Sequence, residues 1–357
     1  MKTKIKYLLL VGCTLFGFLS VLLSFHYSES IIHGNNPFIR RYVQGCVSMH
    51  EINLGYNSYY FAGLSGERIF LGNSTAPLHI ASVDSALTKK ESLTIQLDEH
   101  GFRFMSPVTR VVFPNLYLID GTVPAVYKGT VTSGKLKLRW QGKHLFSQPQ
   151  LIDSVSMICR TIDPGTQSSE LATLNFKKAM SFKIHDDLLD KQVDGIFDSD
   201  GVLHYDRQSK KAIYTYFYRN QFIVADHNLK LDYKGTTIDT TRTAKIEVVY
   251  VKSRDEKKLS RPPIVVNKMS AVDGNLLYIN SGLIGQFEDR SLWKQSSIID
   301  VYDIASERYI ASFYVYDIDG KRARAIAAEN GRFYALIGTR MVYYRLDKLI
   351  MQHYKKY

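Results

Sequence analysis

A short pattern that occurs twice in the first half of this 357-residue chain constrains its fold more than any other feature. It reads LGNSTAP at Leu71–Pro77 and LIDGTVP at Leu118–Pro124, and Thr75 and Thr122 are 47 residues apart (122 − 75). A strand-rich run precedes each copy and a proline ends it. This spacing is about the length of one four-stranded blade of a β-propeller.

Strand-like segments follow one another after residue 39 and fall mostly into sets of four, although the third set shows only two strands, over residues 155–158 and 171–176. The last set, over residues 324–346, has three strands, whereas residues 39–54 hold a strand-like segment that belongs to no set. A closed propeller commonly completes its last blade with the N-terminal strand. The sequence therefore predicts an all-β, six-bladed β-propeller. Seven blades are the rival count, because residues 244–251 can start another sheet.

The N-terminus has the pattern of a signal anchor or a signal peptide. Three lysines precede residues 7–25, an uncharged apolar run that is just long enough to cross a bilayer. We predict a signal segment over residues 1–30 and a propeller domain over residues 31–357, closed by strand 39–54. The basic flank places the propeller outside the cytoplasm, in the cell envelope.

Three fates of the N-terminal segment are open from the sequence. It can remain as an inner-membrane anchor, it can be cleaved near Ser30 so that the protein is exported, or it can be lipidated at Cys13. Beyond it, Cys46 and Cys159 either pair in an oxidising compartment or are two buried core residues.

The charge of the chain favours no particular partner. The formal net charge is +12, and without residues 1–30, which contain three lysines and one glutamate, it is +10 (12 − 2). Basic residues are scattered and mixed with acidic ones, as in residues 254–258, which is typical of a solvated loop. No nucleic-acid recognition module is present, so we expect no nucleic-acid partner. We expect a monomer.

No motif in the sequence identifies a reaction. Asp198, Asp200 and Gly201 have the spacing of the start of a calcium loop, but the further ligands of such a loop are absent, so a β-turn is favoured. The chain has no G-x-S-x-G, H-E-x-x-H, G-x-G-x-x-G or Walker pattern. The sequence therefore predicts no metal site, and the catalytic residues and cofactor are unknown.

The candidate binding residues lie in predicted loops. Arg219 and Asn220 stand between two strands of the fourth set, where a guanidinium could recognise a carboxylate or phosphate or form a salt bridge between blades. Asn73, Asp120 and Asn280 hold corresponding positions, either as a polar ring or as turn formers. The long insertion over residues 282–296 adds Phe287, Arg290 and Trp293, types enriched at interfaces, and the alternative is that Phe287 and Trp293 pack on the fifth blade.

The strand sets, the Asp-Gly and Asn-x-Thr turns and the export signal together resemble the six-bladed propellers of exported bacterial proteins, broadly the NHL and TolB-like groups. The resemblance implies a propeller that binds something at its mouth. The leading hypothesis is a membrane-anchored extracytoplasmic module that binds a protein, peptide or glycan. The alternative is a calcium-dependent hydrolase or lactonase, in which a calcium ion in the central channel polarises an ester carbonyl.

Overall fold

The N-terminal helix is long and apolar, whereas the rest of the described chain consists mostly of β-strands. The computed structural model describes residues 2–34, 36–98, 103–177, 181–253 and 256–357. Helix α1 (Lys2–Gly34) contains a stretch of 24 residues, Lys4–Tyr27, with a mean hydropathy of 2.4 in its most apolar window. Its length and composition suffice to cross a membrane, a property that retained anchors share with signal sequences.

Six antiparallel sheets follow, each a blade in which sequential strands are neighbours. Strand β1 (Val47–Asn53) precedes them in the chain. Blade 1 contains β2 (Tyr59–Leu64), β3 (Arg68–Asn73), β4 (His79–Asp84) and β5 (Lys90–Thr94). Blade 2 contains β6 (Gln96–Leu97), β7 (Pro107–Val112), β8 (Asn115–Asp120), β9 (Ala125–Thr130) and β10 (Lys135–Gln141). The short β6 pairs in parallel with the outermost strand, β10.

Blades 3 and 4 have the same meander order. Blade 3 contains β11 (Phe146–Leu151), β12 (Ser156–Ile162), β13 (Ser169–Asn175) and β14 (Ser181–His185). Blade 4 contains β15 (Gly201–Asp206), β16 (Lys211–Tyr216), β17 (Gln221–Asp226) and β18 (Leu231–Thr236).

The last blades hold the insertion and both ends of the propeller. A separate hairpin, β19 (Val248–Val251) and β20 (Glu256–Leu259), precedes blade 5. Blade 5 contains β21 (Asn267–Asp273), β22 (Leu276–Ser281), β23 (Ser296–Asp303) and β24 (Arg308–Tyr316). Blade 6 contains β25 (Ala323–Glu329), β26 (Arg332–Ile337), β27 (Arg340–Arg345) and β1. Two short helices, α2 (Arg290–Lys294) and α3 (Lys348–Met351), complete the fold.

The blade count is six, as the sequence predicted. The seventh blade that residues 244–251 could have started does not form, because β19 pairs only with β20 in the described part of the chain. In blade 6, β1 lies antiparallel to β27, with Val47 opposite Arg345 and Asn53 opposite Arg340. The outermost strand of this blade thus comes from the N-terminal side of the propeller.

Burial follows the layering of the blades. All residues of β22 and β23 are buried, because these strands have a neighbouring blade on each face. The outermost strand β5 instead alternates between exposed and half-buried residues. Large apolar side chains pack between adjacent blades in six clusters, one for each junction of the ring. The free Cys159 lies in the cluster between blades 2 and 3, whereas the free Cys46 packs against the one between blades 5 and 6.

A docking segment, residues 36–43, connects the N-terminal helix to the propeller and packs against blade 5. The Arg40 guanidinium is buried, with Nε 2.7 Å from Asp300 Oδ1 and Nη1 2.8 Å from Glu288 Oε1. Burial opposes the charge of Arg40, but the attraction of Asp300 outweighs it and raises the pKa of the guanidinium. The Tyr42 ring stacks on Tyr314, with ring centroids 4.4 Å apart.

Candidate functional site

The strand order places the longest loops on one face of the propeller. In an antiparallel meander, the loop after the second strand and the connection to the next blade emerge on the same side. We call this side the loop face. It carries the insertion at residues 282–295, which contains α2, and the connections between consecutive blades.

The insertion presents an exposed aromatic ring. Phe287 is 86% exposed and has a φ of 64°, in the left-handed region that bulky residues seldom adopt. Two residues later, the Asp289 side chain caps α2 by accepting a hydrogen bond from the Ser291 N–H at 2.7 Å. Arg290, the first residue of the helix, is exposed. The cap therefore holds Phe287 and Arg290 on an ordered turn.

Trp293 lies between two cationic side chains. Lys268 Nζ is 5.5 Å from the centroid of its ring, and the Arg322 guanidinium carbon is 5.4 Å from it. Arg322 also donates to the carbonyls of Trp293 and Lys294, which fixes the C-terminal end of α2. Burial, and secondarily the positive charge of Arg322, lower the pKa of Lys268 to about 8. This part of the loop face combines an aromatic ring with two cationic side chains, and Asp317 Oδ2 lies 3.9 Å from Arg322 Nε.

Arg219 and Asn220 do not face the solvent, although their position between strands suggested a presented loop. The Arg219 side chain is fully buried, its guanidinium carbon lies 3.6 Å from the centroid of the Tyr216 ring, and Nη2 donates to the Asp190 carbonyl. Asn220 Nδ2 donates to the Asp239 carbonyl. The connections that lead into and out of blade 4 cover both residues.

The repeated sequence pattern corresponds to a turn in blades 1 and 2. Asn73 Oδ1 accepts hydrogen bonds from the N–H groups of Thr75 and Ala76, and Asp120 Oδ1 accepts them from Thr122 and Val123. Burial opposes ionisation of Asp120, but hydrogen bonds from the Thr122 hydroxyl and from the N–H groups of Ser106, Met105 and Val123 outweigh it and lower the pKa of this carboxyl. The two side chains therefore act as turn formers. Asn280, the third member of the expected ring, is buried within β22.

The structure brings together the predicted residues of the insertion only. Arg290 and Trp293 share α2, with Phe287 just before it, whereas Arg219, Asn220 and Asn280 are buried in blades 4 and 5. Asn73 and Asp120 end the second strands of blades 1 and 2, so topology places their turns on the loop face, away from the insertion.

A cavity, the central channel, runs between the six blades, and its residues were not singled out from the sequence. The innermost strands of adjacent blades contact one another around it. It has a volume of 1450 Å³, and all six blades contribute to its mostly apolar wall. Its ionisable lining residues are Arg110, His204, Asp206, Arg207, Asp273 and Glu329.

Three channel carboxylates connect adjacent blades through hydrogen bonds. Each ends an innermost strand and accepts a hydrogen bond from a glycine N–H in the first turn of the next blade. The pairs are Asp206 with Gly274, Asp273 with Gly331, and Glu329 with Gly66. These glycines have φ values of 60°, 71° and 73°, which L side chains adopt only with strain. Burial, followed by the neighbouring carboxylates, raises the pKa values of Asp273 and Glu329.

The described residues contain no group of three or more His, Cys, Asp or Glu side chains that could hold a metal ion. The channel carboxylates bind backbone amides instead.

Comparison with known proteins identifies the fold. No protein-family model and no curated protein matches the sequence. A solved structure of a DUF4221 family member from Bacteroides vulgatus is similar over 87% of this chain and 99% of its own, with a TM-score of 0.53 and 11% identity. The fold is that of a bacterial six-bladed propeller.

Two further structures have lower TM-scores. YCF48, solved bound to a D1 peptide, matches 86% of this chain and 98% of its own length at a TM-score of 0.47 and 8% identity. TolB from Acinetobacter baumannii matches 80% of this chain and 65% of its own length, with a TM-score of 0.40 and 14% identity. The propeller fold that the sequence predicted is confirmed by the six sheets and by the similarity to the DUF4221 structure.

Proposed function

We propose that this protein is a membrane-anchored binding module of the cell envelope, whose loop face at blade 5 binds a protein or peptide partner. The observation that carries the proposal is Phe287, an aromatic ring with 86% of its surface exposed and a positive φ. A bulky apolar residue in a strained, exposed conformation is costly for a monomer, and such outliers cluster at binding sites.

The surroundings of Phe287 define the chemistry of the partner. Arg290, three residues further along the insertion, is exposed. Trp293 belongs to the same insertion, and the cationic groups of Lys268 and Arg322 lie near its ring. Tryptophan and arginine are the types that dominate interface energetics. A partner segment with an apolar side chain and acidic neighbours would complement this surface.

The membrane part of the proposal depends on α1. Lysines lie at the N-terminal end of its apolar stretch, Lys4–Tyr27. The positive-inside tendency would keep this end in the cytoplasm and leave the propeller outside it. The partner would then be another envelope protein or peptide, held near the membrane by the anchor.

Crosslinking in native membranes tests the proposal. The full chain, its double variant Phe287→Ser with Arg290→Ser, and the control Tyr56→Ser would be crosslinked and their partners quantified by mass spectrometry. Tyr56 is also exposed, but lies in the connection between blades 6 and 1. We expect the double variant to capture about tenfold less partner than the wild type, because it lacks the side chains of an interface hot spot, and to keep the same melting temperature. Capture equal in the double variant and the wild type would overturn the proposal.

A further inference from the structure

The central channel contains an arginine that no carboxylate neutralises in the described part of the chain. Arg110 lies on β7, the innermost strand of blade 2. Its Nε donates to the Pro149 carbonyl at 3.0 Å, and Nη1 makes a longer contact of 3.4 Å with the Thr109 carbonyl. For Nη2 no protein acceptor is described. Donors of the guanidinium fork therefore remain free for a ligand in the channel.

Two further polar side chains line the channel at a similar depth. His204 is the fourth residue of β15, as Arg110 is of β7, and Gln150 is the fifth residue of β11 between them. His204 Nε2 lies 3.0 Å from Ser270 Oγ. Burial, and secondarily the charge of Arg110, lower the pKa of His204 to about 4, so its imidazole is neutral at physiological pH. Blades 2, 3 and 4 thus direct one cation and two neutral polar groups into the same space.

The rest of the wall near these residues is apolar. Val108 and Val112 lie on the same face of β7 as Arg110, because side chains of a strand alternate between its faces, and they line the channel next to the cluster between blades 2 and 3. Ala271 and Ile326, from blades 5 and 6, also line the channel. A cavity of 1450 Å³ exceeds the size that a small organic molecule needs.

We propose that the central channel binds a small organic carboxylate that carries an apolar body. The carboxylate would accept paired hydrogen bonds from the Arg110 fork, with Gln150 and His204 as further polar contacts, and the body would lie against Val108 and Val112. The charge of Arg110 suits a monoanion, whereas Arg207, the other arginine of the lining, already donates to the Leu151 carbonyl at 3.2 Å. Asp206, Asp273 and Glu329 line the same channel and would repel a multiply charged ligand. This site is independent of the loop face.

Isothermal titration calorimetry with phenylacetate and its neutral analogue phenylacetamide tests the proposal. The experiment uses the full chain in detergent micelles. We expect phenylacetate to bind the wild type and phenylacetamide to bind at least tenfold more weakly, because hydrogen bonds to a charged partner are the stronger ones. Arg110→Gln should reduce phenylacetate affinity by about tenfold to a hundredfold. The control Arg139→Gln, on the exposed outer strand of the same blade, should leave it unchanged.

A second variant separates loss of binding from loss of folding. Gln150→Glu preserves Arg110 and supplies a carboxylate next to Pro149, the residue that Arg110 already contacts. We expect this variant to keep or raise the melting temperature and to lose phenylacetate binding, since the internal carboxylate occupies the guanidinium. The proposal is overturned if phenylacetate does not bind the wild type, if phenylacetamide binds equally well, or if both Arg110→Gln and Gln150→Glu retain full affinity.

Discussion

Arg219 shows how a residue type that is typical of binding sites can serve inside the fold. Its position between two strands indicated a loop that recognises an anion, but its guanidinium stacks on Tyr216 and is fully buried. Nε and Nη1 have no partner among the described residues. Its surroundings depend on packing between distant segments, which local sequence does not encode.

Replacement of Arg219 should therefore change stability. We expect Arg219→Ala to lower the free energy of unfolding by about 2–4 kcal/mol, because it leaves a cavity and removes the contact with Tyr216. Arg219→Met should cost much less, since it fills the volume without donors that lack partners. Urea unfolding measures both. Equal losses for the two variants would contradict this account.

Glu170 is a buried carboxyl that should make stability depend on pH. It is 5% exposed. Burial, and then the negative charges of Asp186, Asp163 and Asp187, raise its pKa to about 7. The folded state therefore holds this proton more tightly than the unfolded chain, whose glutamates titrate near pH 4.3. The stability contributed by the protonated form is full below that pH and is lost as the pH rises to about 7.

Glu170→Gln removes this titration. We expect the variant to be more stable than the wild type by about 1–3 kcal/mol at pH 8, with a difference that shrinks toward pH 5. Urea unfolding across this range is the measurement. A difference that does not vary with pH would show that Glu170 titrates normally in the folded protein.

At the scale of secondary-structure elements, the sequence predicted most strands of blades 1, 2, 4, 5 and 6, because these are apolar runs separated by turn residues. The first and last strands of blade 3, β11 and β14, were missed. In β11, Gln148 has a φ of 51° and Pro149 follows it, so pairing with β12 shifts register and the alternating pattern is broken. The convergence of Arg110, Gln150 and His204 was also missed, since it arises only when three blades are placed side by side.

The docking segment is an element whose position depends on one buried cation. Arg40 pairs with both Asp300 and Glu288, and Tyr42 also donates to Glu288, at 2.9 Å. Arg40→Ala would leave two buried carboxylates unpaired, so we expect a loss of about 3–5 kcal/mol in the free energy of unfolding. The neighbouring Arg41 is exposed, and Arg41→Ala is the matched control. Thermal unfolding that is alike in the two variants would argue against a structural role for the ion pairs.

At the scale of the whole molecule, closure of the ring should be cooperative. Deletion of residues 39–54 removes β1 and exposes the edge of β27, so we expect the melting temperature of the entire propeller to fall. As a control, replacing hairpin residues 248–259 with a Gly-Ser linker should have little effect, since within the described ranges β19 and β20 pair with each other and with no blade. An unchanged melting temperature after the first deletion would mean that β1 does not hold the ring together.

The pairing of β1 with β27 also affects when the propeller can close during protein synthesis. Val47 and Arg345 are partners, yet nearly the whole propeller lies between them in the chain. At a synthesis rate of about 5–20 residues per second, the first strand would wait roughly 15–60 s for its partner to be made. During that interval blade 6 cannot form, and β1 of the nascent chain has no partner strand, so it can pair with strands of other chains. Export machinery or a chaperone that shields this edge would therefore govern the yield of folded protein.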